Sequence, residues 1–217
     1  MSHIEPNFPT DGAGPPNRTD ERVCLFGGTF DPIHEAHLLL AEKAMERFSL
    51  DRVLFVPARN PPHKDLRRVT RYEHRFHMVE IACAPYLAFV ASRLEEGEER
   101  SYTINTLERF RKEVDSSARL FFLIGSDAFD ELETWKRWED VVKLTEFIVV
   151  TRPGHEYRAP QNSCVHRLEG LSLPVSSSSI RNRLAAGEPT PELPRGVRQY
   201  IEKHRLYGFG RKATASP

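Results

Sequence analysis

Arg22-Val23-Cys24-Leu25-Phe26-Gly27-Gly28-Thr29-Phe30-Asp31-Pro32-Ile33-His34-Glu35-Ala36-His37 is the stretch that decides how this chain is read. The apolar run Arg22–Phe26 stops at two glycines, which predicts a buried strand followed by a tight turn. From Glu35 to Phe48 the period changes, and Leu38, Ala41, Met45 and Phe48 recur at helical spacing. The same alternation repeats outward. Further strands are predicted at Arg52–Val56, Leu87–Ala91, Leu120–Ile124 and Phe147–Thr151, with a short sixth at Cys164–Leu168. Helices are predicted over Arg71–Ala84, around Ile104, Leu107, Phe110 and Val114, and over Ala128–Leu144, Ser178–Ala186 and Arg195–His204. Ala58–Val69, with Pro61 and Pro62, reads as a loop. Near-continuous apolar strands alternating with helices imply an α/β fold: a Rossmann-like, doubly wound parallel sheet. One domain is expected over residues 21–207, between a disordered tail at 1–20 and a flexible tail at 208–217. In such a sheet ligands bind beyond the carboxyl ends of the strands.

Composition narrows the function. The 217 residues suit a single domain, and 39% hydrophobic with 29% charged residues permits an ordinary core. Lys+Arg and Asp+Glu both number 31, so the formal net charge is zero. That balance argues against a nucleic-acid binder but leaves room for a small anion held by local cations. No apolar run approaches the roughly 20 residues that cross a bilayer. Met1–Thr19 holds Pro6, Pro9, Pro15 and Pro16 but no apolar segment of the kind a signal peptide needs. Cys24, Cys83 and Cys164 are odd in number, far apart and set among apolar neighbours. They read as reduced, buried thiols of a cytoplasmic protein.

Gly27 and Gly28 let backbone N–H groups approach a ligand, and a helix begins just beyond them, which together suit an anion. The stretch has neither the spacing of a dinucleotide-binding glycine motif nor the lysine of a P-loop. His34 and His37 stand three apart, so both imidazoles reach one face of the first turn and can donate to phosphate. Helix capping is the structural alternative for this pair, and a zinc site would need further ligands nearby. Lys64, taken alone, is a solvated charge in a proline-rich loop, and the Glu95–Arg100 cluster is a solvated turn. Ser176–Ser179 alone is a linker or an N-cap run; with Arg181 in the first turn it can instead cradle phosphate. Asp127 can cap a helix, and Trp135 and Trp138 can fill the core.

Gly27–His37 resembles the GGxFDPxHxGH signature of bacterial nicotinate mononucleotide adenylyltransferases, within the HxGH nucleotidyltransferase superfamily, with Ala36 where that family has glycine. Pro57–Lys64 is similar to its PxxxPPHK loop, and Ser101-Tyr102-Thr103 with Thr106 to its SYTxxT segment. Ile124–Asp127 with Leu132 and Trp135 resembles IGxDxxxxLxxW, and Arg152-Pro153-Gly154 its RPG turn. Ser176–Arg181 resembles SSTxIR with Ser178 for threonine, and Val197–Tyr207 the terminal VxxYIxxxxLY. The resemblance implies transfer of the adenylyl group of ATP to nicotinate mononucleotide, giving nicotinate adenine dinucleotide and pyrophosphate, a step of NAD biosynthesis. It implies His37 on the α-phosphate, His34 on neighbouring oxygens, and Lys64 and Arg181 on the pyrophosphate. Gly27, Gly28, Thr29 and Phe30 would supply backbone donors, and Trp135 would stack on the pyridine ring. Thr103, Asp127 and Arg152, together with Trp135, would hold the sugar and base, Ser176, Ser177 and Ser178 would meet phosphates, and Gly125 and Ile180 would be among the substrate-binding residues. Mg²⁺ would come carried on ATP. No nucleic acid or membrane is implied, and a homo-oligomer is left open. Rival readings are a nicotinamide or phosphopantetheine acceptor, a binding protein without catalysis, and a metallohydrolase built on Asp31, His34 and His37.

Overall fold

The computed structural model describes residues 20–61, 65–97, 100–151, 157–169 and 175–210. Six strands form one sheet: β1 (Arg22–Gly28), β2 (Arg52–Pro57), β3 (Phe89–Ala91), β4 (Arg119–Gly125), β5 (Glu146–Val150) and β6 (Val165–Leu168). All neighbours pair in parallel, in the order β3-β2-β1-β4-β5-β6. The order reverses between β1 and β4, so a crevice opens at their carboxyl ends.

Alternate strand residues face opposite layers. Cys24, Phe26, Val53, Phe55, Phe121 and Leu123 pack with α1 (Glu35–Phe48), α2 (Tyr72–Cys83), α6 (Ser177–Ala186) and α7 (Arg195–His204). Val23, Leu25, Leu54, Val56, Leu120 and Phe122 pack with α3 (Thr103–Arg111), α4 (Ser126–Asp130) and α5 (Trp138–Leu144). The expected doubly wound parallel sheet is therefore present. Helix α1 runs over the span its spacing predicts and ends at Ser49, whose left-handed backbone (φ 49°) lets its N–H donate to the Met45 carbonyl.

Three expectations need correction. The helix expected over Ala128–Leu144 is three pieces: α4, a 3₁₀ turn at Leu132–Thr134, and α5. Trp135 is extended and Arg137 left-handed (φ 54°), which breaks the helical path. Phe129, Leu132, Val141 and Val142 all still reach the core, which is why the apolar spacing mimics one helix. Strand β3 begins at Phe89, because Leu87 is fully exposed. Cys24 and Cys83 are buried as expected, but Cys164 is exposed just ahead of the edge strand β6. Tyr207 and Phe209 pack against the core, whereas residues 1–19 and 211–217 lie outside the described residues.

Candidate active site

The loop from Thr29 to His34 joins β1 to α1 at the crevice. Phe30 takes a left-handed backbone (φ 47°) and buries its ring against Phe26, Phe55 and His37. A side chain at Gly28 would put its Cβ 2.8 Å from the Phe30 ring, so only glycine lets the ring pack there. Asp31 is 4% exposed, and its three oxygens are engaged. One carboxylate oxygen accepts from the Tyr207 hydroxyl at 2.7 Å and the other from the Thr70 N–H at 3.2 Å. Its carbonyl accepts from Arg181 Nη1 at 2.8 Å, and the Ser177 hydroxyl donates to the Pro32 carbonyl at 2.9 Å. The start of α6 is thus fastened to the loop. Burial, and then the Asp31 charge, push the Tyr207 hydroxyl far above its usual pKa, so it stays a donor.

His34 is the N-cap of α1, and its N–H donates to His37 Nδ1 at 3.2 Å. That is one half of a capping box, with histidine in the place of the usual glutamate. Capping and chemistry are not rivals here. With Nδ1 accepting, the proton of neutral His37 sits on Nε2, a donor for an incoming anion. The two rings stack at 3.8 Å. Burial lowers the His34 pKa to about 4, against an upward pull from Glu192. Burial and the neighbouring His34 hold His37 well below the usual histidine range. Both imidazoles are therefore neutral near pH 7 in the free protein. His34 is 4% exposed, and its Nδ1 is buried with no hydrogen-bond partner among the described residues.

Beside this loop a cavity is lined by Gly27, Gly28, Ser101, Thr103, Thr106, Phe122, Ile124 and Trp135. Trp135 meets Phe122 edge-on at 6.2 Å and also borders a second hollow lined by Arg100, Tyr102 and Lys136. Gly125 caps α4, and Asp127 lies exposed in its first turn. Ser176 caps α6 by accepting from the Ser179 N–H at 3.2 Å, and its hydroxyl lies 3.0 Å from that of Ser178. The Ile180 side chain is fully buried in the core and its N–H donates to the Ser176 carbonyl. Lys64 and Arg152 lie outside the described residues.

Two further residues join the site together: Arg75, which the sequence does not single out, and Glu95, which it places in a solvated turn. Arg75 of α2 is 1% exposed. Its guanidinium donates to the carbonyls of Thr29 (2.7 Å), Thr70 (2.8 Å) and Arg59 (3.2 Å), one from each segment around the loop. Its position between Tyr72, Phe76 and Val79 on the apolar face of α2 is the available signal. Glu95 is no solvated turn residue: it is 7% exposed, lines the cavity, and accepts from the Thr106 hydroxyl (3.0 Å) and the Arg59 N–H (3.2 Å).

The sequence profile of the cytidylyltransferase-like family matches residues 25–183. A Solibacter usitatus protein named "Probable nicotinate-nucleotide adenylyltransferase" is 49% identical over 186 residues, which is 86% of this chain and 99% of that protein. The chain belongs to the nicotinate-nucleotide adenylyltransferase family. A Thermoanaerobacter relative of the same name is 39% identical, over 86% of this chain and 94% of its own. The fold of this family member also matches that of a Plasmodium falciparum nicotinic acid mononucleotide adenylyltransferase solved with NaAD. That match has a TM-score of 0.73 at 22% identity and covers 88% of this chain and all of the other.

Proposed function

We propose that this cleft transfers the adenylyl group of ATP to nicotinate mononucleotide, releasing pyrophosphate. The observation that carries the reading is the His34–His37 pair, two neutral stacked imidazoles at the start of α1, one of them buried with an unsatisfied nitrogen. The relatives' names supply the acceptor. The nucleophile is then a phosphomonoester whose second pKa is about 6, mostly dianionic at neutral pH and in no need of a general base. Its oxygen attacks the α-phosphorus in line as the bond to the β-phosphate oxygen breaks, and pyrophosphate leaves with the electron pair. What the protein must do is hold polyanions together and stabilise charge.

His37 Nε2 donates to the α-phosphate and His34 to the oxygens beside it. A docked phosphate raises both depressed pKa values, because nearby negative charge favours the imidazolium. Gly27, Gly28, Thr29 and Phe30 contribute backbone donors, and Lys64, Arg181 and the Ser176–Ser178 hydroxyls take the leaving group. Arg181 already spends one donor on Asp31, which fixes its guanidinium beside the loop. Thr103, Gly125, Asp127 and Arg152 hold sugar and base, with Trp135 stacked on the pyridine ring. Mg²⁺ would arrive with ATP and would neutralise part of the phosphate charge. Asp31 fits this arrangement, since its oxygens are already engaged by Tyr207 and Thr70. A cytoplasmic setting suits the buried thiols Cys24 and Cys83.

The test is pyrophosphate release from Mg-ATP with nicotinate mononucleotide, nicotinamide mononucleotide or no acceptor. A strong signal with the first alone supports both reaction and acceptor. Equal signals from the two mononucleotides reject acid selectivity, and silence throughout rejects the reaction.

A further inference from the structure

At the opposite end of the sheet from this cleft, Glu146 opens β5, Cys164 immediately precedes β6, and His166 lies two residues on along the same strand. Residues two apart on a strand project to one face, so Cys164 and His166 converge over the neighbouring Glu146. Cys164 Sγ is 3.5 Å from Glu146 Oε2 and 3.8 Å from His166 Nε2, and His166 Nε2 is 2.7 Å from the same oxygen. The three ligand atoms of a tetrahedral zinc ion stand about 3.3–3.6 Å apart, given its bond lengths of about 2.0–2.3 Å. The distance from the sulfur to the carboxylate oxygen already matches, and that from the sulfur to the imidazole need close by only about 0.2 Å. The imidazole and carboxylate must part, by roughly 0.6 Å, as an ion replaces the hydrogen bond between them.

The surroundings suit an ion as well. Arg119 grips Glu146 with two hydrogen bonds, at 2.9 and 2.8 Å, and so orients a ligand carboxylate as outer partners of metal ligands do. Phe48 and Phe121 flank the His166 ring, at 5.5 and 5.8 Å between centroids, and limit its rotation. Cys164 is exposed, leaving an approach for the ion and room for a water as fourth ligand. We propose that Glu146, Cys164 and His166 form a second site that binds a borderline-soft divalent ion of the zinc class and ties the edge strand β6 to β5. Thiolate and imidazole favour zinc over magnesium, which prefers oxygen ligands. On binding, the Cys164 S–H bond breaks, the sulfur–metal bond forms, and one proton passes to the buffer.

The experiment titrates the full-length, metal-stripped and reduced protein with Co²⁺, without nucleotide. One equivalent is taken up, with the thiolate-to-cobalt charge-transfer band and intense visible bands of tetrahedral cobalt, and Zn²⁺ displaces it. Cys164→Ser abolishes the band and weakens zinc by at least ~100-fold, and Arg119→Ala weakens it about tenfold. Zinc at about 100 times its Kd raises the Tm of the wild type by about 5 °C. Cys164→Ser keeps the wild-type rate of pyrophosphate release, which shows the variant is folded. Absence of the band, its persistence in Cys164→Ser, or an unmoved Tm with zinc would overturn the proposal and leave an ion-paired surface cluster only.

Discussion

The two walls of the crevice are built differently, although each begins at the carboxyl end of a central strand. Beyond β1, the loop Thr29–His34 is buried and braced: Asp31 is held from Tyr207, Thr70 and Arg181, Thr29 from Arg75, and Pro32 from Ser177. Beyond β4 the chain goes directly into the five-residue α4 and reaches α5 through a short turn, with Gly125, Asp127 and Ala128 exposed. One wall commits buried polar groups to rigidity, which stabilises the fold where those groups find partners, as the Asp31 carboxylate does, and leaves His34 Nδ1 unsatisfied. The other is made of short pieces joined by a turn. Under the proposed function, the braced wall would serve phosphate chemistry, where displacement by an ångström is costly, and the pieced wall would grasp and release a ring and sugar.

The comparison can be broken in several places. His37→Ala should lower kcat by about 10³-fold with little change in KM for ATP, as for a contact made in the transition state; a change within a few-fold would remove His37 from the chemistry. Arg75→Ala should cost about 3–5 kcal/mol in denaturant unfolding, since it strips three buried carbonyls of a charged donor. A loss below about 1 kcal/mol would mean that the wall is not braced there. The third expectation concerns acid. His34 has a folded pKa of about 4 against about 6.5 unfolded, so the unfolded chain takes up the proton first. Stability should therefore fall as the pH drops from 6.5 to 4, by about 3 kcal/mol, and level off below. Unfolding measured against pH in wild type and His34→Asn isolates this slope; parallel curves would refute it.

On the pieced wall the expected effects are smaller and confined to binding. Trp135→Ala should raise KM for the mononucleotide about tenfold while leaving that for ATP and the unfolding free energy nearly unchanged. Equal rises for both substrates would end the ring-stacking assignment. Tyr207→Phe, back on the braced side, should cost about 1.5 kcal/mol through the lost donor to Asp31, read as a lower urea midpoint at constant m-value.

These contrasts also mark what could be read in the sequence. β1, α1 and α7 were legible because local chemistry decides them: an apolar run stopped by glycines, or buried residues at helical spacing. The loop after β1 is marked in the sequence by its histidines and glycines, and the structure sets it at the crevice. The break between α4 and α5 was not, because the backbone at Trp135 and Arg137 bends to fit neighbours whose side chains keep a helical rhythm. Arg75 and Glu95 stayed hidden because a charged residue reads as solvated unless its buried partners are known, and those partners are main-chain groups and a threonine hydroxyl far along the chain. Ile180 shows the opposite case: its place beside motif serines does not disclose that its side chain is buried in the core.

The Tyr207–Asp31 hydrogen bond spans 176 residues of chain. A ribosome making this protein exposes the histidine loop early, yet the hydroxyl that closes it arrives only after every strand has emerged. Products of premature termination can therefore pair strands without finishing the loop, so synthesis itself withholds the braced histidine loop until the sheet it stands on has been made.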